Sequence, residues 1–313
     1  MNWGLGHASR CVPLVQRLLD EGHEVILGGD GESLTLLRKH FPKLRYTYLA
    51  PLNLRYSAGQ RQVWAMIKAM PRLVIWSIKD HLMLKTILRE EPIDQVISDN
   101  RFGLYNKQTE CVYMTHQLHI MLPRGWKWAE RIASRMHARI YARYNKVWVP
   151  DYEDPQQSLS GELGHPSSFH LSPFTFQYIG PLSRFQNASP ISHHPSPIYD
   201  VVAVLSGLEP HRTLLENEII ARYQDAAEQV LIVQGLMHRP NTRIKRGNLT
   251  IIPYLGDKEL ASVLMGANHI IARSGYSTIM DLEALGRMDK AELIPTPGQP
   301  EQEYLATLHN KMQ

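Results

Sequence analysis

The stretch of the sequence best suited to chemistry lies at residues 268–286, where a glycine turn separates an apolar run from an amphipathic segment. The run 270–272 predicts a buried strand, and apolar residues that recur every three positions from Ile279 predict a helix after it. The first N–H groups of such a helix lack helical partners and, with the helix dipole, attract an anion such as a phosphate. The pattern therefore predicts a phosphate-binding turn, and an ordinary capped helix is the alternative.

Polar side chains around this turn fit a nucleotide. Gly275 would let an anion come close to the backbone, and Ser274, Ser277 and Thr278 offer hydroxyl donors. Asp281 follows Thr278 by about one helical turn and lies roughly on the same helix face. A carboxylate at that place can accept hydrogen bonds from both hydroxyls of a ribose.

A second glycine-rich stretch, which contains Gly4, Gly6 and His7, opens the chain. It looks like the loop that follows the first strand of a dinucleotide-type α/β domain, and Ser9 is expected to cap the helix after it. The strand that would hold this loop is missing from the sequence. We therefore expect the natural sequence to begin upstream of Met1.

The composition limits the class of protein. The chain has 313 residues, of which 43% are hydrophobic and 20% charged, so it is long enough for two globular domains. Its net charge of +4 is too small to predict nucleic-acid binding, but suits anionic substrates or an anionic membrane surface. Two cysteines, no signal peptide and no apolar run of about 20 residues predict a cytoplasmic protein with reduced thiols.

Short apolar runs alternate with helical patterns along most of the chain, which is typical of an α/β fold with parallel strands. The alternation weakens between residues 151 and 194 and then restarts. We therefore expect two Rossmann-like βα domains, at residues 1–178 and 179–313, that face each other across a cleft. A long helix is expected over residues 62–89, with a break at Pro71.

Polar residues follow two of the predicted strands in the first domain. Asp99 and Arg101 come after one strand, and His116 and Gln117 come after the next. Parallel sheets place their ligands at this edge, so these residues are candidates for an acceptor pocket. His116 and His119 have no carboxylate or cysteine at a suitable spacing, and no metal site is predicted.

Residues 126–144 predict a helix with a basic ridge beside an apolar one. The basic ridge consists of Lys127, Arg131, Arg135, Arg139 and Arg143, and the apolar ridge of Trp128, Ile132, Met136, Ile140 and Tyr144. One interpretation is a surface helix with its apolar side in the core. The other is a peripheral contact with the anionic head groups of a membrane.

Five short motifs occur in an order that resembles one enzyme family. They are Gly4-Leu-Gly-His7, Gly180-Pro-Leu-Ser-Arg184, Ser206-Gly-Leu-Glu-Pro-His-Arg212, Arg273-Ser-Gly275 with Asp281, and Pro297-Gly-Gln-Pro-Glu-Gln-Glu303. Together they resemble the GT-B glycosyltransferases of family 28, which include the lipid-II-forming N-acetylglucosaminyltransferase and the plant monogalactosyldiacylglycerol synthases. The resemblance covers nearly the whole chain. It implies transfer of a hexosyl group, with inversion, from a UDP-sugar to a hydroxyl acceptor such as a lipid.

The resemblance also implies a role for each matched position, without a metal ion or other cofactor. The donor contacts it implies are Arg184, Ser206, Gly207, Arg212 and the turn Arg273, Ser274, Gly275, Tyr276, Ser277 and Thr278 for the diphosphate, the main chain at Ile252 for the uracil, Asp281 for the ribose, and Gln302 and Glu303 for the sugar. The acceptor contacts it implies are Gly4, Gly6, Arg101, His116 and Gln117. Arginines and helix N-termini can stabilise the charge on a departing UDP where other enzymes use Mg²⁺.

The acceptor hydroxyl must also lose a proton. His7 is the first candidate for the base because the pKa of imidazole lies near working pH, and Asp99 is the second. A capping or diphosphate-ordering role is the alternative for His7. The missing first strand, and an end at Gln313 before an expected strand and helix, leave other functions open. These are a UDP-sugar hydrolase or epimerase, or a non-catalytic nucleotide-sugar-binding protein.

Overall fold

The computed structural model describes residues 6–51, 62–167, 176–186, 199–207 and 209–310, with side chains from residue 69 onward in the long helix. Gly4, a predicted acceptor contact, lies outside these residues. The described chain forms two compact units. Of the described residues, those within 18–182 and 298–301 form the first unit, and those within 6–17, 183–297 and 302–310 form the second.

The first unit is built on two parallel sheets. Its elements are β1 (Ile26–Gly29), α2 (Gly31–His40), β2 (Arg45–Tyr48), α3 (Gln62–Glu90), β3 (Gln95–Asp99), β4 (Glu110–Met114), α4 (Glu130–Tyr141), β5 (Lys146–Val149) and β6 (Phe176–Tyr178). Strands β1 and β2 form one sheet, and β3, β4, β5 and β6 form the other in chain order. Aromatic rings from β4 and α4, among them Tyr113 and Tyr141, fill the core beside the larger sheet.

The second unit is built on one six-stranded sheet in the order β12-β11-β7-β8-β10-β9. Its elements are α1 (Gly6–Asp20), whose last residues belong to the first unit, β7 (Val201–Val204), α5 (His211–Tyr223), β8 (Val230–Val233), β9 (Ile244–Arg246), β10 (Leu249–Ile252), α6 (Asp257–Gly266), β11 (His269–Arg273), α7 (Tyr276–Ala284), β12 (Ala291–Ile294) and α8 (Pro300–Asn310). All neighbouring strands are parallel except β9, which runs antiparallel to β10. The central strands are buried, as expected for parallel strands covered on both faces.

Parallel sheets with connecting helices in both units confirm the predicted α/β class. The chain passes from one unit to the other between Leu182 and Ser183, whereas the predicted boundary followed residue 178. Most of α1 groups with the second unit, whereas the sequence predicted it in the first domain. No helix within the described ranges is long and apolar enough to cross a bilayer.

Three local predictions are wrong. Helix α3 runs through Pro71 without a break, because this residue is exposed and a carbonyl that lacks its helical partner there can bond water. Ser9 does not cap α1; the helix begins at Gly6, and the Ser9 hydroxyl donates to the Gly6 carbonyl at 2.9 Å. The helix expected over 126–144 is divided into a 3-10 helix, Arg124–Ala129, and α4.

One buried histidine should make the first unit sensitive to acid. The Tyr113 hydroxyl donates to Asn100 Oδ1 at 2.6 Å, so His137 Nε2, 2.9 Å away, donates to the Tyr113 oxygen. Burial lowers the pKa of His137 from 6.5 to about 4. Between these values the unfolded chain binds more protons than the folded chain, so stability falls as the pH drops.

We therefore expect the free energy of unfolding to fall by about 3 kcal/mol as the pH drops from 7 to 4 through His137 alone. The measurement is urea unfolding at several pH values for the unaltered chain and for His137→Gln, whose amide does not titrate. The difference between the two should shrink or change sign below pH 6. A difference that is constant across this range would contradict the buried neutral state of His137.

Candidate functional site

The predicted phosphate turn lies at the carboxyl end of β11, in front of α7. Gly275 precedes the helix in an extended conformation, with φ −76° and ψ 140°. Among the described atoms, a Cβ added to Gly275 would meet nothing closer than Thr278 Oγ1, at 4.0 Å. The space before the first turn of α7 is therefore not filled by this unit, and its N–H groups can accept an anion.

The start of α1 meets the start of α7 at this place. The Ser277 hydroxyl donates to the Gly6 carbonyl at 2.9 Å. A Cβ on Gly6 would lie 3.0 Å from the same hydroxyl oxygen, so a larger residue would have to displace this hydroxyl slightly. Two helix N-termini with positive dipole ends therefore lie together within the second unit.

His7, the first candidate for the base, is held by a cation. Arg10, one turn later in α1 and almost fully buried, brings Nη2 to 2.8 Å from His7 Nδ1. A guanidinium can only donate, so Nδ1 is the acceptor and a neutral imidazole carries its proton on Nε2. In this arrangement neither ring nitrogen has a lone pair that can take a proton, which favours the ordering role over the base role. Sequence reasoning missed Arg10, although its spacing of three from His7 on a helix was the signal.

Asp281, the predicted ribose ligand, has partners within the unit. Its Oδ1 accepts from the Ser183 hydroxyl at 2.7 Å, and its Oδ2 accepts from Arg184 Nε at 3.2 Å. Arg184 also donates to Asp257 Oδ1 at 3.1 Å. Burial raises the pKa of Asp281, although Arg184 and Ser183 oppose the shift. The Asp281 carboxylate thus holds Ser183 and Arg184, where the chain enters the second unit. Little of its own surface remains exposed for a ribose.

Arg212, a predicted diphosphate ligand, is already neutralised. It donates to Glu209 Oε1 at 2.6 Å and to Glu216 Oε2 at 2.7 Å, and Gln234 donates to the other Glu216 oxygen at 2.5 Å. Burial raises the pKa of Glu209, but hydrogen bonds from Thr213 and Arg212 outweigh it and leave this pKa below its ordinary value. A diphosphate at Arg212 would therefore compete with Glu209.

The remaining donor residues divide into exposed and internal ones. Ser206 and Gly207 are exposed at the carboxyl end of β7, next to β11. Arg273, by contrast, donates to the carbonyls of His211 and Pro295, so its side chain holds the strand ends together. Ser274 is fully buried and donates to the Gln302 carbonyl at 2.8 Å, which corrects its prediction as a hydroxyl donor to phosphate.

Two further residues that were predicted to contact the UDP-sugar already make hydrogen bonds within the second unit. The Ile252 carbonyl accepts from the Gln234 N–H at 2.9 Å, so a uracil edge would have to share it. Gln302 Oε1 accepts from the Thr296 N–H at 2.8 Å, which leaves its amide nitrogen for a sugar hydroxyl. Glu303 is exposed.

In the first unit, the predicted acceptor residues meet at the ends of β3 and β4. Asp99 and Met114 are register partners, so Asp99 lies beside the Thr115–Gln117 turn. Within that turn the Gln117 N–H donates to Thr115 Oγ1 at 3.1 Å. His116 Nε2 lies 2.8 Å from Glu301 Oε1, a pairing that the sequence did not predict because the two residues are far apart along the chain.

Arg101 is a structural residue, which corrects its prediction as an acceptor contact. Its guanidinium is buried and donates to Asp80 through Nε at 3.0 Å and Nη2 at 2.8 Å. Nη2 also donates to the Ala50 carbonyl, and the guanidinium stacks on the Trp76 ring, 4.7 Å from its centroid. Such a buried group holds α3 to the end of β3, and its Nε and Nη2 donors are taken by partners within the unit.

Comparison with known proteins gives relatives by sequence. No family model matches the chain. Two curated archaeal proteins do match, each named an uncharacterized glycosyltransferase. The protein of Methanosarcina acetivorans is 24% identical and that of Methanosarcina mazei is 23% identical. Each match covers 97% of this chain and 80% of the relative.

Solved structures share the fold at low sequence identity. The glycosyltransferase SnogD from Streptomyces nogalater covers 98% of this chain and 82% of its own, with a TM-score of 0.53 and 17% identity. Phytolacca americana UGT2, complexed with UDP-2fluoro-glucose and pterostilbene, covers 98% and 80%, with a TM-score of 0.55 and 14% identity. Arabidopsis thaliana UGT89C1, complexed with UDP-L-rhamnose, has a TM-score of 0.52 and 11% identity over 97% and 86%. The fold is therefore the α/β fold of these glycosyltransferases.

Proposed function

We propose that this protein is a glycosyltransferase that moves a hexosyl group from a UDP-sugar to a hydroxyl acceptor. The main support for the proposal is that the N-termini of α1 and α7 lie together beside Gly275. An anion at this place can accept hydrogen bonds from their N–H groups. The sequence similarity to two proteins named glycosyltransferases supports it over nearly the whole chain. The UDP-sugars in two of the structural neighbours support this choice of donor.

The proposed reaction breaks the bond between the anomeric carbon and the diphosphate oxygen. The acceptor oxygen attacks that carbon from the opposite side, so the new glycosidic bond has inverted configuration. The departing UDP gains negative charge, which the two helix N-termini can stabilise without a metal ion. Asp99, at the end of β3, is the proposed base that takes the proton of the acceptor hydroxyl.

Donor binding gives the first test of this proposal. We expect the protein to bind UDP more tightly than ADP or GDP in EDTA. We expect Gly275→Ala to weaken UDP binding by about 1–3 kcal/mol, because the added methyl occupies the space of the phosphate. Titration calorimetry measures both effects, and mass spectrometry of products from a UDP-sugar panel then identifies the sugar.

A matched glycine gives the control for this experiment. Gly125, in the 3-10 helix of the first unit, also has no described atom within 4 Å of an added Cβ, so Gly125→Ala should leave UDP affinity unchanged. Equal affinity for the three nucleotides would remove the basis for a UDP-sugar donor. Release of free sugar without an acceptor would instead indicate a hydrolase.

We further propose a lipid acceptor and a peripheral position at the cytoplasmic face of a membrane. Trp128, Ile132 and Met136 are exposed in the 3-10 helix and α4, instead of lying in the core. Exposed cations, among them Arg131 and Arg135, lie on the same elements. Apolar and cationic side chains together favour the boundary between head groups and acyl chains.

Not every member of the two predicted ridges takes part. Tyr144 lies beyond the end of α4 and is buried in the core. Arg143 also lies beyond the helix and stacks over the Tyr105 ring, 5.4 Å from its centroid. The membrane-facing part of this region is therefore shorter than the sequence predicted.

A further inference from the structure

The edge strand β9 of the second unit lies in a dense group of cations. The sequence has no acidic residue between Glu228 and Asp257, and the cations within this stretch are Arg239, Arg243, Lys245 and Arg246. All four side chains are exposed. They equal in number the net charge of the whole chain, +4, so the rest of the sequence is neutral overall. A charge equal to the chain's whole excess is therefore concentrated at this edge.

These four cations have no anionic partner in the part of the chain that the structure describes. Other exposed arginines do have one. Arg45 pairs with Glu91 at 2.8 Å, and Arg222 pairs with Glu292 at 2.9 Å. The positive field at β9 is therefore not cancelled by the fold and acts on anions outside it.

The backbone of β9 is open on one side. The strand pairs antiparallel with β10 and is the last strand of the six-stranded sheet. Its three residues, Ile244–Arg246, are all exposed, and no described strand pairs with its other side. The N–H and C=O groups on the free side of an edge strand are a template for one further strand.

Two of the cations lie on one face of this edge. Lys245 is the register partner of Thr250, and Thr250 is that of Leu231. Lys245 therefore shares a face of the sheet with Leu231, and Arg243, two residues earlier, lies on the same side.

A cavity of about 330 Å³ opens on this face, between α6 and the start of β9. Its apolar lining includes Leu231 and Val263, and its charged lining consists of Arg243, Lys258 and Glu259. The cavity can take an apolar side chain that has a carboxylate neighbour. A phosphate would gain nothing from the apolar part of this lining.

We infer that the free edge of β9 binds an acidic, extended segment of a partner protein, which adds a strand to the sheet. Carboxylates of that segment pair with the cations along the edge, and an apolar side chain of the segment enters the cavity. The main-chain hydrogen bonds supply affinity, and the charges and the cavity supply selectivity. This binding site goes beyond the proposed glycosyl transfer and does not rest on it.

Charge and shape select this occupant over two others. A second copy of the chain would bring β9 against β9, so that like charges would face each other. A nucleic acid would neutralise the cations, but it has no main-chain N–H and C=O groups to pair with an edge strand. An acidic protein segment satisfies the cations, the open backbone and the cavity together.

Fluorescence anisotropy with labelled peptides tests the inference on the full chain. A short peptide of alternating glutamate and valine should bind, and its binding should weaken as the salt concentration rises. The matched peptide of alternating glutamine and valine should bind about tenfold more weakly, because it lacks the charges. A glutamate–valine peptide with alternate amides N-methylated should not bind when the methylated amides face β9, since they cannot donate to the edge.

Two variants with matched charge changes locate the site. Arg243→Gln/Lys245→Gln should weaken binding of the glutamate–valine peptide about tenfold. Arg135→Gln/Arg139→Gln removes two exposed cations of the first unit and should bind the peptide like the unaltered chain. All four side chains are exposed, so neither variant should disturb the fold. UDP affinity of the β9 variant should equal that of the unaltered chain.

Three results would each overturn the inference. The first is a glutamine–valine or N-methylated peptide that binds as tightly as the glutamate–valine peptide, because charge or strand addition would then play no part. The second is tighter binding of polyuridylate or inorganic polyphosphate than of the peptide, which would assign the cations to a polyphosphate chain. The third is a β9 variant that loses UDP affinity together with peptide binding, which would assign the cations to the donor site.

Discussion

Asp99→Asn is expected to turn over roughly 10²–10⁴-fold more slowly than the unaltered chain while binding UDP equally well. An amide cannot take the proton of the acceptor hydroxyl, but it has nearly the shape of the carboxylate and should keep the end of β3 in place. Asp99 belongs to the first unit, whereas the turn around Gly275 belongs to the second, so donor affinity should not change. Steady-state kinetics and calorimetry on one preparation measure the two quantities.

The comparison variant is His7→Ala. Because Arg10 holds Nδ1 as an acceptor, the neutral ring of His7 carries its proton on Nε2 and has no lone pair there. We expect this variant to lose UDP affinity by roughly 1–3 kcal/mol, together with turnover. If His7→Ala binds UDP normally and only turnover falls, the base is His7, and the Arg10 contact must break during the reaction.

Arg101→Met is expected to lower the free energy of unfolding of the first unit by about 3–5 kcal/mol. The substitution leaves Asp80, which has no exposed surface, as a buried carboxylate without its two hydrogen bonds. Burial already raises the pKa of Asp80 while Arg101 opposes that shift, so the variant should take up a proton there. Urea unfolding followed by tryptophan fluorescence measures the loss, and the chain carries Trp76 against the guanidinium as a local probe.

The double variant Asp80→Leu/Arg101→Met distinguishes a buried pair from a functional arginine. Replacing both partners by apolar residues should restore most of the stability, because no charge is then left buried. Acceptor KM should also return to that of the unaltered chain if Arg101 only holds α3 to β3. A double variant that is stable but binds acceptor poorly would return Arg101 to the acceptor site.

Helices and strands with a clear hydrophobic pattern could be predicted from the sequence, whereas the parts of the protein that they pack against could not. Strands β7, β8, β10 and β11 follow from apolar runs bounded by turn residues, because a parallel strand buried on both faces needs little else. The exposed antiparallel strand β9 was not predicted. Helix α3 was visible as a long pattern, but the exposure of its apolar residues Val74, Ile78 and Leu82 was not. Periodicity shows which residues share a helix face and does not show whether that face meets the core.

The candidate site was predictable in part for the same reason. Gly275 and the start of α7 follow from a local strand–turn–helix pattern. The pairs Ser277–Gly6 and His116–Glu301 join residues that lie more than 180 positions apart, and no spacing rule connects them. Arginines were the least predictable residues: Arg101, Arg212 and Arg273 all have partners within the fold, and spacing along the sequence does not show these partners.

The two cysteines are distributed one to each unit, which gives the chain a built-in reporter of local opening. Cys111 in β4 has no exposed surface, and burial raises the pKa of its thiol, so alkylation there requires the first unit to open. Cys11 lies in the part of α1 that belongs to the second unit and is half-buried. The alkylation rates of these two thiols, followed by mass spectrometry in the native state, would therefore measure the opening of each unit separately and show which one a bound nucleotide holds closed.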